Sequence, residues 1–310
     1  MDTSTMEGTV FIGGLLMLLI PFHGFCMALA DSVPGVSGGT VAFILGFYDR
    51  FINALHDLFG RNSAARKAAF LYLLKLGVGW IVGMGLCVSL LAGLFADHIY
   101  FMSSLFLGLI VASIPFVAMA ERDALRQWRL SPCALLGAAL VVGLTLLRSG
   151  SGLLTVDMAQ PGVGDAAYLF FSGAVTITAM VLPGISGSSV LLIAGVYLPV
   201  IQAIRQLLRL DLHVLPRLMA LGFGVIAGVA LSIHAIRAAL QRHRAAMIWF
   251  ILGLMLGSLY AIAMGPASLQ TPKPPLSAAS FRPLAFLLGA GLLVGLELLR
   301  RRMERSVTAA

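Results

Sequence analysis

Two short runs concentrate the residues of this chain whose types and spacing suit ligand chemistry. The first is Pro34-Gly35-Val36-Ser37-Gly38-Gly39-Thr40, and the second, 149 positions later, is Pro183-Gly184-Ile185-Ser186-Gly187-Ser188-Ser189. Proline has no backbone N–H and cannot complete a helix ladder, while glycine reaches backbone conformations that other residues avoid. Each run therefore breaks a helix, and the half-helix that follows begins with N–H groups beside serine and threonine hydroxyls. Amides and hydroxyls gathered at a helix start attract anions, phosphate in particular. Gly35, Ser37, Gly38, Gly39 and Thr40, with Gly184, Ser186, Gly187, Ser188 and Ser189, are thus expected to line a phosphate-binding site. The plainer alternative is that small residues only let membrane helices pack closely. That alternative suits an isolated Ser-Gly-Gly better than Pro-Gly-x-Ser-Gly used twice.

Charged residues near the two runs are few. Asp31 lies three residues before Pro34, and Met180 stands at the corresponding place in the second copy. A carboxylate this close to an apolar run is a candidate for proton or cation coupling; the competing role is a helix cap or a partner for Lys75 or Arg50. Arg50 and Arg205 follow the two half-helices at similar places and are candidates to guide an anionic headgroup, though each is equally placed for surface lipid. Lys75 sits about two turns into its span, where it can snorkel or act as a counter-charge. His23 and His234 read as packing residues. No catalytic, metal or cofactor residue is expected: the six histidines are scattered, Cys26, Cys87 and Cys133 lie apart, and no acidic cluster has ligand spacing. A lipid phosphatase, the enzyme alternative, would need a nucleophile with its base or a metal.

The elements that hold these runs are membrane helices. Of 310 residues 59% are hydrophobic and 11% charged, with a mean hydropathy of +0.98, against roughly 25% charged in soluble domains. Several runs reach the ~20 residues that cross a bilayer. The net charge of +8 resides mainly in short connectors and the C-terminal tail, as expected of cytoplasmic segments. With no soluble module to carry a basic face, nucleic acid is not an expected partner; the bilayer is. An apolar run ending in Ala28-Leu29-Ala30 has the look of a cleavage site, but residues 1–9 are acidic rather than basic, so no signal peptide is expected.

In order, a broken-helix hairpin covers about residues 10–58, and spans follow at 68–95, 99–119 and 132–147. The Gly/Ser-rich loop 148–164 divides a first repeat, 1–150, from a second, 151–310. The second repeats the plan, with a hairpin at about 166–208 and spans at 217–236, 246–264 and 283–299. Gly46 and Tyr48 are answered by Gly195 and Tyr197, and at an offset of 145 Leu76-Gly77-Val78-Gly79 is answered by Leu221-Gly222-Phe223-Gly224. If each hairpin enters and leaves on one side, each repeat has three crossings and the halves are inverted. Arg61–Lys67, Glu121–Arg129, Arg237–Arg244 and the C-terminal tail then share the cytoplasmic side, with both termini, while Arg205, Arg209 and Arg217 disagree by falling outside. Parallel repeats misplace more basic loops. The expected fold is all-α and polytopic: two inverted repeats, each a re-entrant hairpin plus three transmembrane helices, with the two helix breaks facing one another near the midplane.

Ala30-Asp31-Ser32-Val33-Pro34-Gly35-Val36-Ser37-Gly38-Gly39-Thr40 followed by Gly46-Phe47-Tyr48 resembles the first signature of the bacterial polyprenyl-phosphate translocase family, long catalogued as a domain of unknown function. Leu182-Pro183-Gly184-Ile185-Ser186-Gly187-Ser188 followed by Gly195-Val196-Tyr197 resembles the second. The resemblance covers nearly the whole chain. It implies a transporter in the bacterial cytoplasmic membrane that returns undecaprenyl phosphate from the outer to the inner leaflet for envelope synthesis, with the polyprenyl phosphate lipid as partner and no cofactor. Coupling to a proton or sodium gradient is compatible with Asp31. A carrier or channel for a small soluble anion is the transport alternative, because the same breaks would serve it.

Overall fold

The computed structural model describes residues 19–31, 37–86, 98–150, 163–268 and 272–308. Gly35, the stretch 10–18 of the first hairpin and residues 87–95 of the first span lie outside the described residues. Every regular element among those described is helical. They are α1 (Leu19–Asp31), α2 (Gly38–Ile44), α3 (Tyr48–Leu58), α4 (Ser63–Leu86), α5 (Ile99–Ala120), α6 (Arg122–Leu125), α7 (Pro132–Gly150), α8 (Val163–Val181), α9 (Gly187–Ile193), α10 (Tyr197–Leu208), α11 (Leu215–Arg242), α12 (Arg244–Ala263) and α13 (Pro283–Thr308), with short 3-10 turns between some of them. Six helices are long and apolar enough to cross a membrane, in the regions of α4, α5, α7, α8, α11 and α12. Large side chains on the outer helices face outward: Ile81 is 67% exposed, Leu135 74%, Leu231 78% and Leu287 65%. In water such a surface would drive aggregation; in hydrocarbon it is the lipid-facing wall of a polytopic membrane protein.

The chain doubles back near each motif. On the second, α9 runs back beside α8, and the Tyr168 hydroxyl donates to Ala194 O at 2.7 Å. On the first, the His23 ring of α1 stacks on Phe47, just past α2, with centroids 4.2 Å apart. Neither returning limb continues as one helix. Gly46 and Gly195, matched across the repeat, adopt φ of 76° and 69°, left-handed values that glycine takes without a Cβ penalty. There the chain turns into α3 and α10.

Helix pairing follows the sequence repeat residue by residue. Gly24 is pressed on Leu76 O and Gly79 on Pro21 O; correspondingly, Gly173 is pressed on Leu221 O and Gly224 on Phe170 O. Thus α1 packs on α4 as α8 packs on α11, backbone to backbone, with no room for a Cβ. The last helix of each half crosses over. Gly108 of α5 abuts Phe286 O of α13, and Gly253 of α12 abuts Ala134 O of α7. Gly289 against Leu105 O and Gly137 against Phe250 O complete the two pairs. Each third helix therefore packs on the second helix of the other half. In the middle stands α12, with Ile248, Ile251, Leu254, Met255 and Ile262 fully buried.

Polar contacts define two ends. At one, Arg244 at the start of α12 binds Glu121, which closes α5, and Asp49 of α3. At the other, Tyr100 near the start of α5 donates through its hydroxyl to Pro274 O at 3.0 Å, and Arg282 N donates to Ser104 Oγ at 3.0 Å.

Candidate functional site

The two motifs meet in the centre of the molecule. Gly184 N donates to Thr40 Oγ1 at 2.7 Å, across 144 residues of sequence. Beside this bond the Tyr48 hydroxyl donates to Val181 O at 3.2 Å, and Ser37 Oγ lies 3.5 Å from Met180 O. Gly39 faces the same two carbonyls, where a Cβ would stand 3.1 Å from Val181 O and 3.2 Å from Met180 O. Gly184 itself has φ +91° and sits against Leu254 of α12. Ser37, Thr40, Tyr48 and Ser186 are all buried there.

Local sequence explains how each half-helix begins. Ser37 adopts an extended backbone and caps α2, its Oγ accepting from Gly39 N at 3.1 Å. Asp31, at the end of α1, accepts from Gly38 N at 2.7 Å and from Trp80 Nε1 at 2.9 Å. The motif predicts free amides at the start of α2, but the first two are occupied. Gly38 is held by a carboxylate and Gly39 by the cap. Of the two structural roles open to Asp31, the structure has the helix cap, while Lys75 and Arg50 are not its partners. Lys75 is half-buried on α4, and Arg50 stacks over the Tyr72 ring at 4.6 Å. The side chain of Arg205 lies outside the described residues.

The second copy is built differently. Ser186 also has the extended conformation that opens a helix, yet its side chain makes no cap bond. Its Oγ lies instead 2.8 Å from Ser188 Oγ. Met180 replaces Asp31 and lays its sulfur 3.2 Å from where a Gly187 Cβ would be, beside Thr176. Ser188 and Ser189 are half-buried, whereas Gly38, Gly39 and Thr40 are closed off. Among the described residues of the two motifs, the more exposed hydroxyls are therefore those of Ser188 and Ser189.

Three residues at the junction carry weight that spacing did not reveal. Trp80 holds Asp31 from 49 positions away, Tyr48 ties α3 to the end of α8, and Thr176 keeps a buried hydroxyl next to Gly187 with no hydrogen-bond partner among the described residues. Only Tyr48 had a signal, its match to Tyr197 in the repeat. Among the described residues no group of three or more His, Cys, Asp or Glu side chains could hold a metal ion.

Broken helices in paired repeats, meeting inside an apolar bundle, are the architecture of a membrane transporter. The chain belongs to the undecaprenyl phosphate translocase-like family, which matches residues 27–278. It is 33% identical over 243 residues to a polyprenyl-phosphate transporter of Staphylococcus aureus, covering 78% of this chain and 84% of that relative. It is 32% identical over 251 residues to a polyprenyl-phosphate transporter of Vibrio cholerae, covering 76% of this chain and 74% of that one. No solved structure matches the chain at a significant level. The family's activity is translocation of a lipid, a transport function and not catalysis.

Proposed function

We propose that this chain moves undecaprenyl phosphate, or a close polyprenyl phosphate, from the outer to the inner leaflet of the bacterial cytoplasmic membrane. The observation that carries the reading is the Thr40–Gly184 bond, which joins the two Pro-Gly-x-Ser-Gly motifs among apolar helices. Gly35, Ser37, Gly38, Gly39, Thr40, Gly184, Ser186, Gly187, Ser188 and Ser189 supply the amides and hydroxyls that take the phosphate. The prenyl tail stays in lipid. Several of those groups hydrogen-bond within the junction, Gly184 N to Thr40, Gly38 N to Asp31 and Gly39 N to Ser37, as buried backbone donors require. A phosphate entering the junction takes over the donors now held by Thr40 and Asp31.

Asp31 then has a defined place in the cycle. Its carboxylate sits on the α2 amide that a phosphate oxygen would use, so ligand and carboxylate compete for Gly38 N. Release of Asp31 leaves a charge that a proton or a sodium ion can neutralise, and the first repeat alone carries it.

The two repeats are inverted and each hairpin is re-entrant, with both termini in the cytoplasm. Supporting this, the connectors Glu121–Arg129 and Arg237–Arg244 share one end through Arg244–Glu121, while residues 98–104 and 274–282 share the other. The Arg-rich end is the cytoplasmic one by the positive-inside rule. Rocking of one half against the other opens the junction to each leaflet in turn.

The test is flipping of a labelled polyprenyl phosphate in proteoliposomes by the parent, Ser37→Ala and Ser186→Ala proteins, with inorganic phosphate uptake alongside. Loss of lipid movement in both variants, with no phosphate uptake by the parent, is expected. Flipping by both variants at the parental rate removes the junction as the site; phosphate uptake by the parent favours a soluble-anion carrier.

A further inference from the structure

A second polar constellation lies away from the motifs, at the Arg-rich end. A surface cavity of about 260 Å³ opens between α3 and the α11–α12 corner, lined by Asp49, Ile52, Asn53, Arg237, Leu240, Gln241 and Arg244. Two of those lining residues are arginines and one is a carboxylate.

The arginines are held in different ways. Arg244 is held by two carboxylates: Nη1 and Nη2 donate to Asp49 Oδ2 at 3.1 and 3.2 Å, and Nε and Nη2 to the two Glu121 oxygens at 3.1 and 2.5 Å. Arg237 is half-buried, and its close contacts are with uncharged or titratable acceptors. Nε donates to Asn53 Oδ1 at 2.8 Å and Nη1 to the His56 ring at 2.6 Å, while Asp57 is 3.9 Å away. Its Nη2 has no hydrogen-bond partner among the described residues. A guanidinium nitrogen with unused N–H groups, in a polar cavity, is suited to donate to an oxyanion.

We propose that this cavity is a second anion subsite, taking a phosphate monoester group on Arg237 with Asn53 and Gln241 beside it. The ligand class rests on the transport reading above; the site does not. Arg244 is its reserve charge. When phosphate enters, it competes with Asp49 for Arg244, which loosens the ties between α3, the end of α5 and the start of α12. Those ties close this end of the molecule, so occupancy of the subsite and opening of the end are linked.

The sequence repeat does not duplicate the residues of this subsite. At the positions corresponding to Asp49, Asn53, Arg237 and Arg244 stand Leu198, Gln202, Ala92 and Ile99. The arrangement of Arg237, Asn53, Asp49 and Arg244 is therefore not a feature that the sequence repeat duplicates.

The experiment is a calorimetric titration of the purified full chain with farnesyl monophosphate and, separately, with inorganic phosphate. The proteins are the parent, Arg237→Gln, Asp49→Asn and Ser186→Ala. Arg237→Gln is expected to weaken one class of sites by about tenfold or more, the scale of one charge-assisted contact. Asp49→Asn is expected to tighten the same class several-fold, on the order of a partly exposed charge pair, by freeing Arg244. A gain of affinity is a result that a merely structural residue would not produce, and it stays readable even where Arg237→Gln folds poorly. Dependence on Arg237 with farnesyl monophosphate alone assigns the subsite to the lipid headgroup; dependence with both probes assigns it to phosphate in general. Isotherms for Arg237→Gln and Asp49→Asn that superimpose on the parent overturn the subsite. Ser186→Ala separates the two readings, because it removes the junction sites while leaving the Arg237-dependent ones.

Discussion

The bond between Thr40 and Gly184 gives the sharpest test of the junction, through Thr40→Val. Thr40 is 1% exposed, and its Oγ1 is the acceptor for Gly184 N. Valine keeps the side-chain volume and replaces that oxygen with a methyl group. Gly184 has little freedom to find another partner, because its backbone is held at φ +91° against Leu254. The variant therefore buries an N–H with no acceptor, which costs about 1–3 kcal/mol. That is roughly a 5- to 150-fold loss in the folded-to-unfolded ratio, at about 1.4 kcal/mol per factor of ten. Thr40→Ser keeps the acceptor and loses one methyl group, worth about 0.8 kcal/mol. The assay is reversible unfolding in mixed micelles with graded denaturing detergent, both variants beside the parent. Valine is expected to be the worse substitution although it preserves the volume. If serine is equal or worse, packing and not the hydrogen bond holds the two motifs together. A Tyr48→Phe partner sharpens the result: the two bonds tie neighbouring points of the same junction, and the double variant is expected to depart from additivity by about 0.5 kcal/mol or more.

The remaining predictions use the same unfolding assay unless stated. Ser37→Ala removes a cap bond to Gly39 N and is expected to cost about 1 kcal/mol; a cost near zero would mean that the cap does not hold the start of α2. Asp31→Asn leaves one of two donors, Gly38 N or Trp80 Nε1, facing an amide NH2, for an expected loss of about 1.5–3 kcal/mol. Trp80→Phe removes only the indole bond, and the double variant is expected to lose less than the sum. Gly108→Ala forces a Cβ onto Phe286 O and is expected to cost about 1–3 kcal/mol, while Gly143→Ala points into open space and is expected to be neutral or slightly stabilising. Similar effects at the two glycines would contradict the α5–α13 contact.

The sequence by itself determined the class of this protein, its helical content and the two places where helices break. Those features are local or compositional: apolar runs of crossing length, prolines without an N–H, and glycines at Gly46 and Gly195 that the chain needs at left-handed turns. The repeat was legible because it is written in the same small residues that make the contacts. Gly24 and Gly79, with their counterparts Gly173 and Gly224, are glycines for want of space.

Only the tertiary structure decided which helices those small faces meet. An apolar helix such as α7 reads the same whether it packs within its own half or, as here, on α12 of the other, because lipid and neighbouring helix are equally apolar. Nor does spacing show that Asp31 caps α2 from one side while Trp80 reaches it from another. A carboxylate near a membrane run can be a cap, an ion-pair partner or a coupling group, and the choice depends on donors 7 and 49 residues away. The same holds for Arg237, one basic residue among many in a connector until folding sets it beside Asn53 of the opposite half.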